Sequence, residues 1–437
     1  MEKQPDNRRI FRALRYPNYR LYFIGQGISL IGSWMQAVAM SWLVYRLTNS
    51  AFLLGVTGFA SQIPSFFLSP VAGVWVDRSD RHRMLIAVQS LFMVQAFILA
   101  FLVLFHAVTV WQIILLSALA GIVNAFDLPV RQSFVIQMVE DKADLGNAIA
   151  LNSMMFNGAR LIGPSIAGLV IAAGGEGICF LLNAVSFLAV IASLFLMKNI
   201  PRQPGSKKTE VLGELRAGFA YAFGFVPIRS VLMLIALISL MGMSYAVLMP
   251  VFAKEILRGG PHTLGFLMGA TGVGALGGAF FLASRKSAAG IERIIPAAVC
   301  VFGIGLIAMS QSRSFPLSLL LMTVVGFGMM TNMVSCNTLI QTLVEDDKRG
   351  RVMSLYGMAF MGMTPFGSLL AGSLASRIGA PNAALIGGAC CIVGAAAFMR
   401  KLPGIRKIIH PIFAQKGILP EVSSGMEAAS ELTAPPE

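Results

Sequence analysis

Charge is what this sequence has least of. Only 12% of its 437 residues are charged, 34 of them basic and 20 acidic. A soluble globule carries about a quarter of its residues as charges. With 56% hydrophobic residues and a mean hydropathy of +0.75, this chain has too little polar surface to clothe one. Cysteine is also sparse. Cys179, Cys300, Cys336, Cys390 and Cys391 lie in apolar stretches without paired spacing, which indicates core packing and neither a disulfide framework nor a thiolate metal site. The four histidines, His82, His106, His262 and His410, fall on separate loops, helix ends and the tail. No Cys/His or paired-carboxylate spacing marks a catalytic or metal centre, so an enzyme is not expected and no cofactor is called for.

What the chain has instead is long apolar runs. Windows of membrane-spanning length, needed to cross ~30 Å of hydrocarbon, fall at 21–44, 51–75, 84–105, 110–128, 145–173, 177–197, 229–252, 263–284, 293–311, 315–339, 352–377 and 382–400. The expected fold is therefore an all-α membrane protein with twelve transmembrane helices.

The net charge of +14 suggests nucleic acid until the basic residues are placed. With loops assigned alternately to two sides, the side holding both termini carries 28 of the 34, and the other side only Arg46, Lys254, Arg258, Arg313 and Arg377. Positive loops stay inside. Both termini are thus expected in the cytoplasm of a bacterial cell, with the spans in its inner membrane and the lipid bilayer, not nucleic acid, as the large partner. Met1 to Arg20 is basic and polar and does not read as a cleavable signal.

The sequence also repeats itself. Ile136 to Asp141 (IQMVED) recurs at Ile340 to Asp346 (IQTLVED), and Gly163 to Gly168 (GPSIAG) recurs at Gly367 to Gly372 (GSLLAG). Gly73 maps to Gly278, and all three offsets are 204 to 205 residues. Two six-helix halves related in parallel follow. The expected organisation is a cytoplasmic N-terminal segment (1–20), a first bundle (21–198), a cytoplasmic linker with an amphipathic helix (199–228), a second bundle (229–400) and a disordered cytoplasmic tail (401–437).

Between the second and third spans, GVWVDRSDRHRML (Gly73 to Leu85) packs Asp77, Arg78, Asp80, Arg81, His82 and Arg83 into seven residues. An ionised side chain at the bilayer centre costs at least ~2.5–3.5 kcal/mol, so the cluster lies at the interface. Its pattern of Gly73, Asp77, Arg78, Arg81 and Leu85 resembles the loop signature of the major facilitator superfamily of secondary transporters, with Asp80 where a second glycine usually stands. In the second half Asp77 maps to Leu282, Arg81 to Lys286 and Asp127 to Asn332. Both acids vanish together, as a single ion network of Asp77, Arg81 and Asp127 would require. The resemblance implies a latch between the halves that shuts the cytoplasmic side. A plain topology anchor is the other reading.

The fifth span holds Asn157, Arg160, Gly163, Pro164, Ala167 and Gly168. A Gly-Pro pair removes a backbone hydrogen bond and allows close packing, so a kink is expected there. The pattern is similar to the helix-5 signature of the superfamily's antiporter branches, which implies export; a packing kink alone is the alternative. Arg160 is the one charge near the middle of a span. Either it meets an anionic group of the substrate or coupling machinery, or it bonds to helix carbonyls and neighbouring Asn side chains.

Stretches such as YPNYRLYFIGQGISLIGSWMQ, NAFDLPVRQSFV and NAIALNSMMFNGARLIGP look like the drug:proton antiporter-3 branch, which includes macrolide and siderophore exporters. The resemblance implies a cavity lined by helices 1, 4, 7 and 10, where Gln26, Ser33, Trp34 and Gln36, and Asn332, Ser335 and Asn337 would line the passage. Methionines near that face, Met329 among them, suit an adaptable apolar pocket, while any single one reads more readily as lipid-facing filler. Proton antiport would need an acid inside the membrane, and Asp127 comes nearest. The expected protein is a monomeric exporter exchanging its substrate for protons. The alternative is a facilitator or importer without proton exchange.

Overall fold

The structure is a computed structural model that describes residues 11–198, 211–285, 287–345 and 348–416, and among these every regular element is helical. Hydrocarbon offers the backbone no water, so each N–H and C=O must be paired inside its own segment, and an apolar chain folds into helices. They are α1 (Pro17–Thr48), α2 (Ala51–Arg78), α3 (Arg81–Leu104), α4 (Val110–Met138), α5 (Lys142–Leu196), α6 (Val211–Gly224), α7 (Val226–Ile256), α8 (Pro261–Ala283), α9 (Ile291–Gln311), α10 (Phe315–Leu343), α11 (Arg349–Ile378) and α12 (Ala380–Gln415). Short polar signals set the boundaries. The Ser50 hydroxyl accepts from the Leu53 amide to start α2, a Thr109/Gln112 capping box starts α4, and Asp141 caps α5. Asp80, the departure from the loop signature, accepts from the amides of His82 and Arg83 and so opens α3.

All of these but α6 are long and apolar enough to cross a membrane, eleven helices in the described residues. One of them is too long for a single crossing. The 55 residues of α5 would reach roughly 80 Å at 1.5 Å each, and its backbone leaves helical geometry at Gly175 (φ 81°). The stretches before and after that residue coincide with the expected fifth and sixth spans. The repeat explains the break, because Gly379 (φ 85°) stands at the equivalent position and separates α11 from α12. A left-handed residue is what a tight reversal needs, and only glycine adopts it without strain. At Pro164, where a kink was expected, the backbone dihedrals stay helical.

Within the first half α1 packs on α5, and α3 on α4 and α5; within the second α10 packs on α8 and α9, and α9 on α12. The halves meet along two seams, α2 with α11 and α5 with α8. The seams are tight at the end away from the termini. A Cβ on Gly55 would stand 2.7 Å from the Ser368 carbonyl oxygen, and one on Gly265 would stand 2.4 Å from that of Pro164. Two bonds close the same end: Tyr45 Oη donates to Glu255 Oε1, and Lys254 Nζ to Asn49 Oδ1 at 2.6 Å. At the termini end of the α2–α11 seam, Gly73 and Gly357 have nothing within 4 Å of where a Cβ would be. The seam is closely packed far from the termini, and near them these two glycines border open space.

At the termini end the chain is anchored before α1. Asp144, 2% exposed, lies 2.7 Å from Arg15 and 3.6 Å from Arg12, and accepts from the Tyr16 hydroxyl at 3.1 Å. Arg15 also donates to Tyr16 Oη. That bond first, and the Asp144 carboxylate second, hold its guanidinium above the ordinary value. Asp144→Asn keeps the shape and removes the charge. Hydrogen bonds to charged partners contribute about 1.5–3 kcal/mol. Both arginines are about half exposed, so a loss near the low end, roughly 1.5 kcal/mol, is expected. A lower thermal midpoint in detergent with transport unchanged would show it.

The tail needs correction. Residues 401–416 are not disordered, because α12 runs on to Gln415 through Pro403 and Pro411. Ile405, Ile409 and Phe413 are buried at helical spacing, and Arg406 Nε lies 3.2 Å from the buried Glu292. That apolar period is interleaved with Lys and Arg, which is why it reads as a polar tail. In the linker, Val211–Gly224 is helical. Residues 1–10, 199–210 and 417–437, which hold the rest of the expected terminal segment, linker and tail, lie outside the described residues.

Candidate translocation site

A cavity of about 640 Å³ opens between the helices of the first half. Its wall begins on α1 with Gln26, Ser29, Ser33, Trp34 and Gln36, where apolar and amide side chains follow one another. Among the described residues, the second half contributes only Ala246 and Val247 from α7 and Met268 from α8.

Amides tie this wall together. Asn183 Nδ2 donates to Gln36 Oε1 at 2.7 Å, Gln36 Nε2 to Gln95 Oε1 at 2.9 Å, and Gln95 Nε2 to the Leu116 carbonyl at 3.3 Å. The chain joins α1, α3, α4 and the part of α5 after Gly175. Nearer the termini Asp127, 4% exposed, accepts from Gln89 Nε2 at 2.8 Å and from Arg131 at 2.5 Å. Four polar atoms of the same wall have no partner: Gln26 Oε1, Ser29 Oγ, Gln89 Oε1 and Arg131 Nε. An unpaired buried polar group costs about 1–3 kcal/mol, and these four belong to residues that line the cavity.

Arg160 sits midway along the first stretch of α5. Its guanidinium lies 5.8 Å from the Trp34 ring centre, and one of its nitrogens donates to Met329 Sδ across the seam at 3.5 Å. Trp34 meets Phe156 edge to face at 5.8 Å, and both rings line the cavity. A cation–π contact contributes ~0.5–2 kcal/mol, a thioether contact less. The cost of a charge at this depth is at least ~2.5–3.5 kcal/mol. The cost exceeds what these two neutral partners return.

The structure places the sequence-derived candidates unevenly. Trp34, Gln36 and Asp127 come together in the cavity wall, as do Gln26 and Ser33. Asp127 is not bridged to Arg81; its partners are Arg131, one turn on in α4, and Gln89. The i,i+4 spacing of Asp127 and Arg131 was the signal for this pair. Of the hinge residues, Gly73 lies near the end of α2, Arg78 ends it and is exposed, and Arg81 begins α3; the side chain of Asp77 lies outside the described part.

Asn157 donates to its own helix at Ser153 and does not reach Arg160. Asn332, buried on α10, accepts from Cys336 and is not in the cavity wall. The helix-5 glycines serve close packing: a Cβ on Gly163 would stand 2.6 Å from Trp34 Cβ, and one on Gly168 would stand 2.9 Å from His262 Cα of α8. Pro164 follows Gly163 in that same contact zone, presenting its carbonyl to Gly265. At the far end Arg46 and Glu176 form a two-point ion pair at 2.7 and 3.2 Å, which pins the end of α1 to the turn at Gly175. The polar residues of α3 and of the second part of α5, Gln89, Gln95 and Asn183, were missed; isolated amides in otherwise apolar spans were the available signal.

Two helical halves repeated in parallel, joined along two seams around an internal cavity, define a transporter of the major facilitator superfamily. The chain belongs to the transmembrane secretion effector family of that superfamily, whose profile matches residues 10–410. It is similar to the staphyloferrin A transporter of Staphylococcus aureus, at 27% identity over 80% of this chain and 88% of that one. It is also similar to the multidrug efflux pump Tap of Mycolicibacterium fortuitum, at 26% over 80% and 87%. Among solved structures, a bacterial homologue of the iron transporter ferroportin in an inward-facing state superposes with a TM-score of 0.68 at 16% identity, covering 89% of this chain and 99% of that one. The protein is thus a multi-pass membrane transporter of small molecules.

Proposed function

We propose that this chain is a monomeric exporter of the bacterial cytoplasmic membrane that crosses it twelve times, with both termini in the cytoplasm. It moves an amphipathic, drug- or siderophore-like molecule outward in exchange for protons, and Asp127 carries the proton. The observation that carries this reading is the buried carboxylate of Asp127 in the wall of a cavity whose far end is closed by Tyr45, Glu255, Lys254 and Asn49. With the termini inside, that cavity faces the cytoplasm, where an exporter collects its cargo. Rocking of the halves about the two seams would then expose the same wall outward.

The similarity to a siderophore transporter and a multidrug efflux pump supports the substrate class. When the cytoplasmic end closes, the turn from Gly73 to Leu85 would latch it through Asp77, Arg78 and Arg81. Asp77→Asn is then expected to lower transport at unchanged abundance in the membrane, as quantitative blotting beside an uptake assay would show; equal activity would remove the latch.

The decisive experiment is proton coupling in proteoliposomes. With a pH gradient imposed, candidate drugs and a catecholate siderophore are added in turn while lumenal pH is followed. Proton movement that depends on one compound supports exchange. Movement of a compound with no change in lumenal pH points to a facilitator.

A further inference from the structure

Resting on the reading of this chain as a transporter, we infer that its cargo is an amphipathic aromatic anion. The charged group is met by Arg160, and the ring lies against Trp34 and Phe156.

Asp127 and Arg131 neutralise one another in the cavity wall. The amides of Gln36, Gln95 and Asn183 carry no charge. Arg160 does not line the cavity itself but touches the Trp34 ring that does, and among the described residues it is the one uncancelled charge at this depth; its two close partners are an indole ring and a thioether. Asn157 is engaged with Ser153, and among the described residues Arg160 bonds to Met329 and to no helix carbonyl. A guanidinium held this way retains most of its five N–H donors for a planar oxyanion, which it can bind through two parallel bonds.

The surroundings specify the rest of the ligand. Trp34 and Phe156 meet edge to face in the cavity wall, and Trp34 is the ring next to the guanidinium, so the body beside the charge is aromatic or flat. Met40 and Met268, also in the wall, adapt to varied apolar shapes. A cation would be repelled at mid-path, whereas a neutral molecule would leave the guanidinium as poorly compensated as before. The chemistry that satisfies the site is an aromatic carboxylate, sulfonate or catecholate.

Three probes that share one ring test this: 1-naphthoate, 1-naphthalenemethanol and 1-naphthylmethylammonium, titrated at millimolar concentration into the full-length protein in lipid nanodiscs. The anion is expected to bind at least about tenfold more tightly than the alcohol, a difference of one decade in Kd, and the ammonium more weakly still. Arg160→Gln is expected to erase the advantage of the anion, while Arg160→Lys keeps most of it. Trp34→Leu should weaken all three together.

Tighter binding of the ammonium, equal binding of all three, no binding of naphthoate, or an anion preference that survives Arg160→Gln overturns the inference. Failure of the exporter reading looks different. Naphthoate that binds through Arg160 but is not moved by a pH gradient counts against proton exchange and sustains the anion site. Gradient-driven movement of the ammonium probe does the reverse.

Discussion

Asp127→Asn is expected to abolish accumulation of substrate against its gradient, while downhill exchange across the membrane stays measurable. Asn is nearly the same size and can still accept the hydrogen bond from Gln89, so the wall keeps its shape, but the side chain no longer takes and releases a proton. One pH unit across the membrane is worth about 1.4 kcal/mol for each proton exchanged, which sustains a tenfold substrate gradient for a one-for-one exchange. The wild-type chain should approach that ratio in proteoliposomes, and the variant should settle near unity. Asp127→Asn also leaves Arg131 buried without its partner, which itself costs stability. The double variant Asp127→Asn with Arg131→Gln removes both charges. Coupling lost in both forms identifies the proton carrier, and coupling recovered in the double variant shows instead that the orphaned guanidinium was at fault. A tenfold gradient built by Asp127→Asn would end the assignment.

Gly265→Val is expected to reduce transport to below roughly a tenth of the wild-type rate by holding the α5–α8 seam apart. A Cβ there would lie 2.4 Å from the Pro164 carbonyl oxygen and 2.8 Å from Gly168 Cα. Both are backbone atoms of a long helix that cannot turn aside as a side chain could, and overpacking of this kind costs about 1–3 kcal/mol or more. The state with its far end closed is the one that suffers, so the population shifts toward a parted far end; about 1.4 kcal/mol already changes a two-state ratio tenfold. Leu54→Cys, at a position 3% exposed near that end of α2, should then label faster with a membrane-impermeant maleimide added from that side. Unchanged labelling and a normal rate would mean that the seam tolerates the bulk.

The spans and the duplication were legible because both are written in long stretches: apolar runs fix the helices, and repeated glycines and short motifs fix the offset. The site was legible only in part. Trp34, Gln36 and Asp127 stand out as polar or aromatic residues in apolar spans, and they meet in the wall. Which way a lipid-embedded helix is turned is harder to read, since both its faces are apolar and the period of 3.6 fades. On α3, Gln89 and Gln95 point inward while Leu91 and Val94 are exposed, yet all four sit in one hydrophobic run. The same ambiguity favoured a hinge partner for Asp127 over Arg131. In α12 the error ran the other way, because cationic residues masked the buried stripe of Ile405, Ile409 and Phe413.

The lopsided cavity wall has a consequence for the speed of the cycle. The hydrogen-bonding groups that border the cavity, and Arg160 beside it, belong to the first half, whereas the second half offers methyl groups and a thioether. When the halves rotate, cargo held by the first half would travel with it as a passenger, keeping its polar contacts while a smooth apolar surface slides past. Tight grip and easy turnover are then separate quantities: strengthening the hold on the cargo deepens one well without raising the ridge between the inward and outward states.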